Sequence, residues 1–273
     1  MNFMNRTNPV GVFDSGIGGL TVVKELDQIL PNENLIYFGD TARVPYGSKS
    51  NETVIEYSKQ DAKFLLNKNV KMIIVACNTA SSVALKELRK SFDIPIVGMI
   101  EPGVKAAIEK TKNGKIGVIG THSTINNKAY SRELLKQNKK LQVYEKACPL
   151  FVPLAEEGMI DHPATKLIAE DYLTELKKKK VDTLILGCTH YPILSKVIQE
   201  IMGNNVTLID SGKAASSIVE SYLQGRGLRN ESHQIGKREY YVSDLPQKFK
   251  TIASTFLGKP ISDLRKIDLE ELF

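Results

Sequence analysis

The sequence predicts an α/β protein with two pseudo-symmetric lobes, each a mostly parallel sheet flanked by helices, and with the active site in the cleft between them. Three observations predict this fold. Short apolar segments alternate with helix-period segments along nearly the whole chain, which is typical of parallel sheets covered on both faces. Two predicted strands end in a cysteine followed by polar residues, ACNTAS and GCTHYP. An acidic residue in a turn, Glu101 or Asp210, lies 24 or 22 residues after each cysteine.

Strands are predicted where short apolar runs occur, and helices where apolar residues recur at helical spacing. The predicted strands cover residues 10–13, 35–38, 71–76, 94–99, 116–119, 141–146, 183–186 and 206–209. The predicted helices cover residues 19–30, 51–67, 80–90, 103–112, 125–137, 163–179 and 191–201.

The internal repeat predicts how the chain divides into lobes. VGVFDSG precedes the first cysteine motif much as IGVIGTHST precedes the second. We therefore assign residues 1–98 together with 209–273 to the first lobe and residues 99–208 to the second. Ligands of open α/β sheets bind at the carboxyl ends of the strands. Cys77 and Cys188 are thus expected on opposite walls of one cleft.

Size and composition indicate a globular protein of the cytoplasm. The chain has 273 residues, of which 42% are apolar and 25% charged, enough for a sizeable core. Its longest apolar runs, such as residues 72–77, are too short to span a bilayer. No secretory signal is visible. We expect neither membrane attachment nor export.

The net charge of +6 raises the question of nucleic-acid binding. The basic residues are spread along the chain, however, and the one run, Lys177–Lys180, ends a predicted helix. Cations at that position complement the helix dipole. No nucleic-acid partner is therefore predicted.

The three cysteines are Cys77, Cys148 and Cys188. An odd number without an export signal argues against a disulfide framework, and no pair has the spacing of a zinc site. We predict no metal site. Cys148 lacks the polar helix-opening residues of the other two and is predicted to be structural.

The stretch VFDSGIGG, residues 12–19, is open to two other interpretations. An Asp-Ser-Gly turn occurs in aspartic proteases, but those are built from many short strands, whereas Asp14 precedes a predicted helix. The glycines match neither the GxxxxGK[ST] nor the GxGxxG phosphate-binding pattern. The helix that follows still favours a carboxylate or another small anion.

Two thiols facing one another across a cleft suit a proton transfer at a carbon stereocentre. One removes a proton from one face of the carbon while the other delivers a proton to the opposite face. Donors are then needed around the substrate carboxylate, where negative charge grows. Asn78, Thr79 and Thr189 adjoin the cysteines and are predicted to supply them, and His190 is placed to assist Cys188.

The motifs together resemble a known family. GVFDSGIGGLTV, YFGDTARVPYGSKS, ACNTASS, VPLAEEG, GCTHYP, IDSG and YYVSDLPQKFKTIASTFLG are similar to segments of the bacterial glutamate racemases, members of the cofactor-independent Asp/Glu racemase superfamily. The resemblance runs from residue 11 to about residue 258. It implies reversible interconversion of L- and D-glutamate, which supplies D-glutamate for peptidoglycan. It also implies a homodimer and no cofactor.

The resemblance also implies roles for particular residues. Cys77 would take the α-proton from D-glutamate and Cys188 from L-glutamate, and His190 and Glu156 would support Cys188. Asp14 would lie near Cys77 and the substrate amine. Asn78, Thr79 and Thr189 would hold the α-carboxylate. The residues implied around the side-chain carboxylate are Ser15, Tyr46, Gly47, Thr121 and Thr124. Glu157 and Ser123 are close neighbours in the sequence and could have the roles implied here for Glu156 and Thr121.

Other functions remain open at this stage. A related racemase could act on aspartate, although Tyr46 and Thr124 suit a longer diacid. A non-catalytic module could bind an amino acid or nucleic acid, but it would have no use for paired thiols. Pyridoxal phosphate is a formal alternative because lysines are plentiful.

Overall fold

The computed structural model of the chain describes residues 5–245, 249–268 and 270. Parts of the predicted first lobe, and residues 246–248 of the YYVSDLPQKFKTIASTFLG motif, lie outside the described residues. Among the described residues, no helix is both long and apolar enough to cross a bilayer.

The described strands form two parallel sheets. The first contains β1 (Val10–Asp14), β2 (Leu35–Gly39), β3 (Met72–Val75), β4 (Ile96–Val97), β9 (Arg238–Val242) and β10 (Leu264–Lys266). The second contains β5 (Lys115–Gly120), β6 (Gln142–Ala147), β7 (Thr183–Gly187) and β8 (Thr207–Asp210). Their spatial orders are β10-β9-β2-β1-β3-β4 and β6-β5-β7-β8.

The strand order confirms the predicted pseudo-symmetry. In the first sheet, strands β1 to β4 have the spatial order β2-β1-β3-β4, and the second sheet repeats this order as β6-β5-β7-β8. β1 therefore corresponds to β5 and β3 to β7, so Cys77 and Cys188 follow equivalent strands. β1, β2, β3 and β7 are buried along their whole length, as expected of parallel strands covered on both faces.

Helices cover both sheets. They are α1 (Leu20–Ile29), α2 (Asn51–Asn67), α3 (Asn78–Val83), α4 (Leu85–Ser91), α5 (Ile100–Lys110), α6 (His122–Asn126), α7 (Ala129–Gln137), α8 (Phe151–Glu156), α9 (Pro163–Lys178), α10 (Ser195–Met202), α11 (Ser211–Gly225) and α12 (Phe249–Leu257). Short 3₁₀ turns cover Tyr46–Ser48 and Tyr191–Leu194. α11 packs on both α1 and α5 and so contacts helices of the two lobes.

Several predicted elements differ from the observed ones. The predicted helix 125–137 is two helices, because Lys128 has a left-handed backbone with φ of +50°. The predicted helix 80–90 divides at Ala84 into α3 and α4. The predicted strand 94–99 shortens to β4, since Pro95 lacks an N–H for the sheet. The predicted helix 191–201 opens as a 3₁₀ turn before α10.

Five of the described strands and α-helices have no counterpart in the sequence prediction, namely β9, β10, α8, α11 and α12, and neither has the 3₁₀ turn Tyr46–Ser48. β9 begins with Arg238 and Glu239, and β10, the edge strand of the first sheet, ends with Arg265 and Lys266, so neither has the apolar run of a central strand. The predicted lobe boundary between residues 208 and 209 falls within β8, which pairs with β7. The division of the chain into lobes by residue range stays a prediction.

Candidate active site

A cavity of about 200 Å³ opens between the carboxyl ends of the two sheets. Its walls are Ser15, Val44, Pro45, Tyr46, Gly47, Ser48, Cys77, Asn78, Thr79, Thr121, His122, Pro149, Val152, Pro153, Cys188, Thr189 and His190. Pockets for drug-sized ligands measure about 300–1,000 Å³, so this cavity suits a smaller molecule. A larger groove of about 800 Å³, beside Arg89, Glu101 and Tyr222, contains none of the predicted site residues.

Cys77 lies at the end of β3 and is the residue that caps α3. Its sulfur accepts a hydrogen bond from the Ala80 amide at 3.4 Å and lies 3.6 Å from Ser15 Oγ. Burial, and to a smaller degree the nearby Asp14 carboxyl, raise the pKa of the Cys77 thiol to about 12. Cys77 is therefore protonated at neutral pH.

Cys188 lies at the equivalent position after β7, beside a cation. Its sulfur is 3.8 Å from His190 Nδ1, and His190 Nε2 is 2.8 Å from Glu156 Oε1. Burial alone lowers the pKa of His190, but hydrogen bonds with Cys188 and Glu156 outweigh it and raise this pKa to about 10. A positive charge therefore lies next to the Cys188 sulfur at neutral pH, where it can stabilise a thiolate.

Asp14 ends β1 and is buried behind the cavity wall. Its Oδ2 accepts a hydrogen bond from the Gly16 amide at 3.0 Å, whereas Oδ1 has no hydrogen-bond partner among the described residues. Burial raises the pKa of this carboxyl. An unpaired buried oxygen of this kind is suited to an incoming cation such as a substrate ammonium group.

The glycines after Asp14 allow close packing between the lobes. A Cβ atom at Gly18 would lie 2.2 Å from Thr189 Oγ1 and 2.5 Å from His190 Nδ1. A Cβ atom at Gly47 would lie 3.0 Å from Thr121 Cβ. Both glycines belong to the first lobe and all three neighbours to the second, so side chains at these positions would push the cavity walls apart.

Three threonine hydroxyls meet at one end of the cavity. Thr79 Oγ1 is 3.0 Å from Thr121 Oγ1 and 3.4 Å from Thr124 Oγ1, and the last two are 3.1 Å apart. Thr79 and Thr121 line the cavity, and Thr124 lies behind them. The structure thus brings together residues that the sequence separates by more than forty positions.

Tyr46 and Gly47 line the cavity, but the Tyr46 hydroxyl points elsewhere. It donates to one of two buried carboxylates, lying 2.6 Å from Asp40 Oδ2 and 2.9 Å from Asp61 Oδ2. Arg43 bridges the same two carboxylates at 2.7 and 3.2 Å. This network holds the 3₁₀ turn, and it occupies the Tyr46 hydroxyl with two carboxylates.

The remaining predicted residues fall around this arrangement. Ser15 and Thr189 line the cavity, and Glu156 lies behind His190. Cys148 is buried, with its sulfur 3.7 Å from the Lys146 carbonyl, and does not line the cavity. No group of three or more acidic, histidine or cysteine side chains among the described residues could hold a metal ion.

Sequence reasoning missed one cavity wall. Pro149, Val152 and Pro153 close the side contributed by the second lobe. They follow β6, the counterpart of β2, after which Pro45 and Tyr46 occupy the same position in the first lobe. The internal repeat could have indicated this wall, because the Pro45 and Pro149 segments both come after the second strand of their lobe.

Comparisons of sequence and of structure with known proteins all find racemases. The family model described as Asp/Glu/Hydantoin racemase matches residues 10–219. The chain is 50% identical to a glutamate racemase of Chlorobaculum tepidum, over 97% of this chain and 98% of that protein. It is 48% identical to one of Geobacter metallireducens, over 96% and 97%. The crystal structure of a Francisella tularensis glutamate racemase in complex with D-glutamate has a TM-score of 0.91 at 41% identity, covering 97% of this chain and 99% of that one.

Proposed function

Because this chain belongs to the Asp/Glu/hydantoin racemase family, and so is an isomerase, we propose that it interconverts L- and D-glutamate through two cysteines. The proposal includes a role in supplying D-glutamate for peptidoglycan, a location in the cytoplasm, a homodimeric state and independence of any cofactor. Near full-length similarity to glutamate racemases supports glutamate as the substrate.

The observation that carries the two-thiol mechanism is the placement of the cysteines. Cys77 and Cys188 follow equivalent strands of two facing lobes, and both line the same small cavity. A molecule held between them has one sulfur on each side. A proton can therefore leave one face of Cα while another arrives at the opposite face, which is what inversion requires.

The proposed chemical step moves two protons. In the L-to-D direction the Cys188 thiolate takes the α-proton, and the electron pair of the Cα–H bond stays on the substrate, spread into the α-carboxylate. The Cys77 thiol then gives its proton to the opposite face of Cα and becomes the thiolate. The D-to-L direction runs the same steps in reverse, so no redox change occurs.

The charges beside the two cysteines suit the L-to-D direction. His190 is protonated and adjoins Cys188, whereas Cys77 retains its proton because it is buried beside Asp14. Asn78, Thr79 and Thr189 are buried, and a fixed buried donor stabilises growing negative charge more strongly than water does.

Substrate contacts follow from the donors and acceptors on the cavity walls. Asn78, Thr79 and Thr189 hold the α-carboxylate in this proposal. Asp14 accepts from the ammonium group through its unpaired oxygen. The side-chain carboxylate is held at the end of the cavity formed by Ser15, Tyr46, Gly47, Thr121 and Thr124, without the Tyr46 hydroxyl, which is bonded to Asp40 and Asp61.

Racemisation of L-glutamate in D2O, followed by circular dichroism and chiral chromatography, tests the proposal. We expect wild type to racemise with one deuterium incorporated at Cα, and Cys77→Ser and Cys188→Ser to lose turnover. Cys77→Ser should still exchange the α-hydrogen of L-glutamate, but not that of D-glutamate, because Cys188 faces only the L side. Cys148→Ser is the matched control and should remain active.

The results that would contradict the proposal are distinct. Full activity in either Cys77→Ser or Cys188→Ser would reject the two-thiol mechanism. Turnover of aspartate in preference to glutamate would reject the substrate. Inactivation by a carbonyl reagent would point to pyridoxal phosphate. A protein that binds glutamate without any α-hydrogen exchange would be a binding module.

A further inference from the structure

One hydrogen bond reaches across the lobes to a side chain of the cavity wall. Asn78, which directly follows Cys77, is buried and lines the cavity. Its Oδ1 accepts a hydrogen bond from the Tyr130 hydroxyl at 2.7 Å. Its Nδ2 is buried and has no hydrogen-bond partner in the described part of the chain. The oxygen of this amide is thus hydrogen-bonded, whereas its NH2 group can still donate.

Tyr130 is held rigidly enough to fix that amide. It lies on α7 in the second lobe and is fully buried. Its ring occupies a slot between two glycines: a Cβ atom at either Gly103 or Gly187 would lie 3.1 Å from a ring carbon. Burial raises the pKa of the Tyr130 hydroxyl, so this group keeps its proton and remains a donor.

A donor at this position selects one of two amide orientations. An asparagine amide can turn by half a rotation and exchange its oxygen and nitrogen. The Tyr130 hydroxyl donates to Asn78 Oδ1, so in this arrangement the oxygen faces Tyr130 and the NH2 group faces away from it. Ser211 Oγ, on the same side, donates to the Leu186 carbonyl at 3.1 Å and lies 3.4 Å from Asn78 Oδ1. The reversed amide would present an oxygen to the substrate carboxylate and repel it.

We propose that Tyr130 is a positioning residue, whose hydroxyl orients the Asn78 amide so that its NH2 group donates to the α-carboxylate of the substrate. This inference rests on the proposed glutamate racemase activity. Tyr130 belongs to the second lobe and Asn78 to the first, so the donor is in place only when the lobes have the relative arrangement seen here.

Steady-state racemisation by Tyr130→Phe tests this role. The substitution keeps the ring and removes only the hydroxyl, so we expect kcat/KM to fall about 10- to 100-fold, as for the loss of one oriented hydrogen bond to a charged group. The fall must be equal in the two directions, because L- and D-glutamate have equal free energies in water. Tyr241→Phe is the matched control: its hydroxyl is bonded to Glu239 at 2.7 Å on the outer strand β9, and its loss should leave kcat/KM unchanged.

A double-mutant cycle separates positioning from a general structural effect. Asn78→Ala alone should lower kcat/KM, and adding Tyr130→Phe should then change it by less than about twofold, because the amide that Tyr130 orients is gone. Independent, multiplying losses would mean that Tyr130 acts through packing and would overturn the proposal. Unchanged kcat/KM in Tyr130→Phe would overturn it as well.

One measurement does not depend on the variant folding. In the wild-type protein, the side-chain amide signal of Asn78 in a 15N NMR spectrum, assigned by through-bond correlation to its own backbone, should shift when D-glutamate binds. A signal unaffected by saturating D-glutamate would contradict the inference even if the enzyme racemises glutamate. Failure of the wild type to racemise would instead reject the proposed function itself.

Discussion

At the residue scale, the two cysteines occupy equivalent positions in unlike electrostatic surroundings. Cys77 adjoins the Asp14 carboxyl, and Cys188 adjoins the His190 imidazolium. L- and D-glutamate nevertheless have equal free energies in water, so under the proposed function kcat/KM must be the same in both directions at every pH. The unlike surroundings can therefore give the two directions different values of kcat and of KM, but each difference in kcat must be matched by an equal difference in KM.

The titration of His190 gives a direct test of its surroundings. We expect its ring to lose a proton at about pH 10, as measured by NMR of ring-labelled histidine, with the signal assigned by its loss in His190→Gln. Glu156→Gln should lower this pKa by roughly one to two units, because the opposing charge is removed. A pKa of His190 near the ordinary value of 6.5 would contradict the charge arrangement described above.

The same shift affects stability with a definite sign. The pKa of His190 is higher in the folded than in the unfolded protein, so its protonation stabilises the fold fully below about pH 6.5. That contribution shrinks as the pH rises and is lost above about pH 10. Over this range the free energy of unfolding should decline more in wild type than in Glu156→Gln.

At the element scale, the turn between β1 and α1 determines how closely the lobes approach. Gly18 lies against Thr189 and His190, which follow β7 in the other lobe. The Thr21 hydroxyl, in the first turn of α1, donates to the Thr189 carbonyl at 3.0 Å. The stretch VFDSGIGG therefore serves as a packing surface for the Cys188 segment as well as the position of Asp14.

Gly18→Ala should show the importance of this approach. The new methyl group would overlap Thr189 and His190, so we expect a loss of about 1–3 kcal/mol in the free energy of unfolding, together with a strong loss of racemase activity. Gly225→Ala is the control, since Gly225 ends α11 and a Cβ atom there would meet nothing within 4 Å. Denaturant unfolding should show that Gly225→Ala is neutral or slightly stabilising, and wild-type behaviour of Gly18→Ala would contradict the packing.

Prediction of the elements succeeded where the local pattern was strong. α2 and the central strands have their predicted positions, because apolar periodicity and caps such as Ser50 act over a few residues. The splitting of the predicted helix 125–137 was not predictable, since nothing in the local pattern indicates a left-handed Lys128. β9 and β10 lack the apolar run of a central strand, and β10 is an edge strand, a property that depends on sheet order.

At the scale of the whole molecule, a buried ion pair joins distant segments at the end of the first sheet away from the cavity. Lys71, just before β3, is fully buried and bonded to Glu33. Its ammonium group also donates to the carbonyls of Arg6 at 2.6 Å and Leu228 at 2.9 Å. Glu33 accepts from the Asn230 amide at 2.6 Å, so the pair ties four chain segments together.

Removing one partner of this pair should be costly. Lys71→Met leaves the Glu33 carboxylate buried without its cation, and we expect the free energy of unfolding to fall by about 3–5 kcal/mol. The double variant Lys71→Met/Glu33→Gln should recover part of that loss. Lys166→Met, which breaks the exposed pair with Glu200, is the control and should unfold at the same denaturant midpoint as wild type. Equal midpoints for Lys71→Met and wild type would contradict the buried role.

The sequence alone determined the strand–helix alternation, the repeat and the two cysteine motifs, because apolar periodicity and strand-end chemistry are recorded in neighbouring residues. It also placed Asp14, Asn78, Thr79, Thr189 and His190 beside strand ends. Only the tertiary structure showed that the Tyr46 hydroxyl turns away from the cavity, that Pro149 and Val152 close it, and that Tyr130 reaches Asn78. Tyr130 reaches Asn78 from 52 positions away because the two lobes pack together. The Tyr46 hydroxyl is held by Asp40 and Asp61, which the fold of the first lobe brings to it. Neither contact is recorded in the pattern of neighbouring residues.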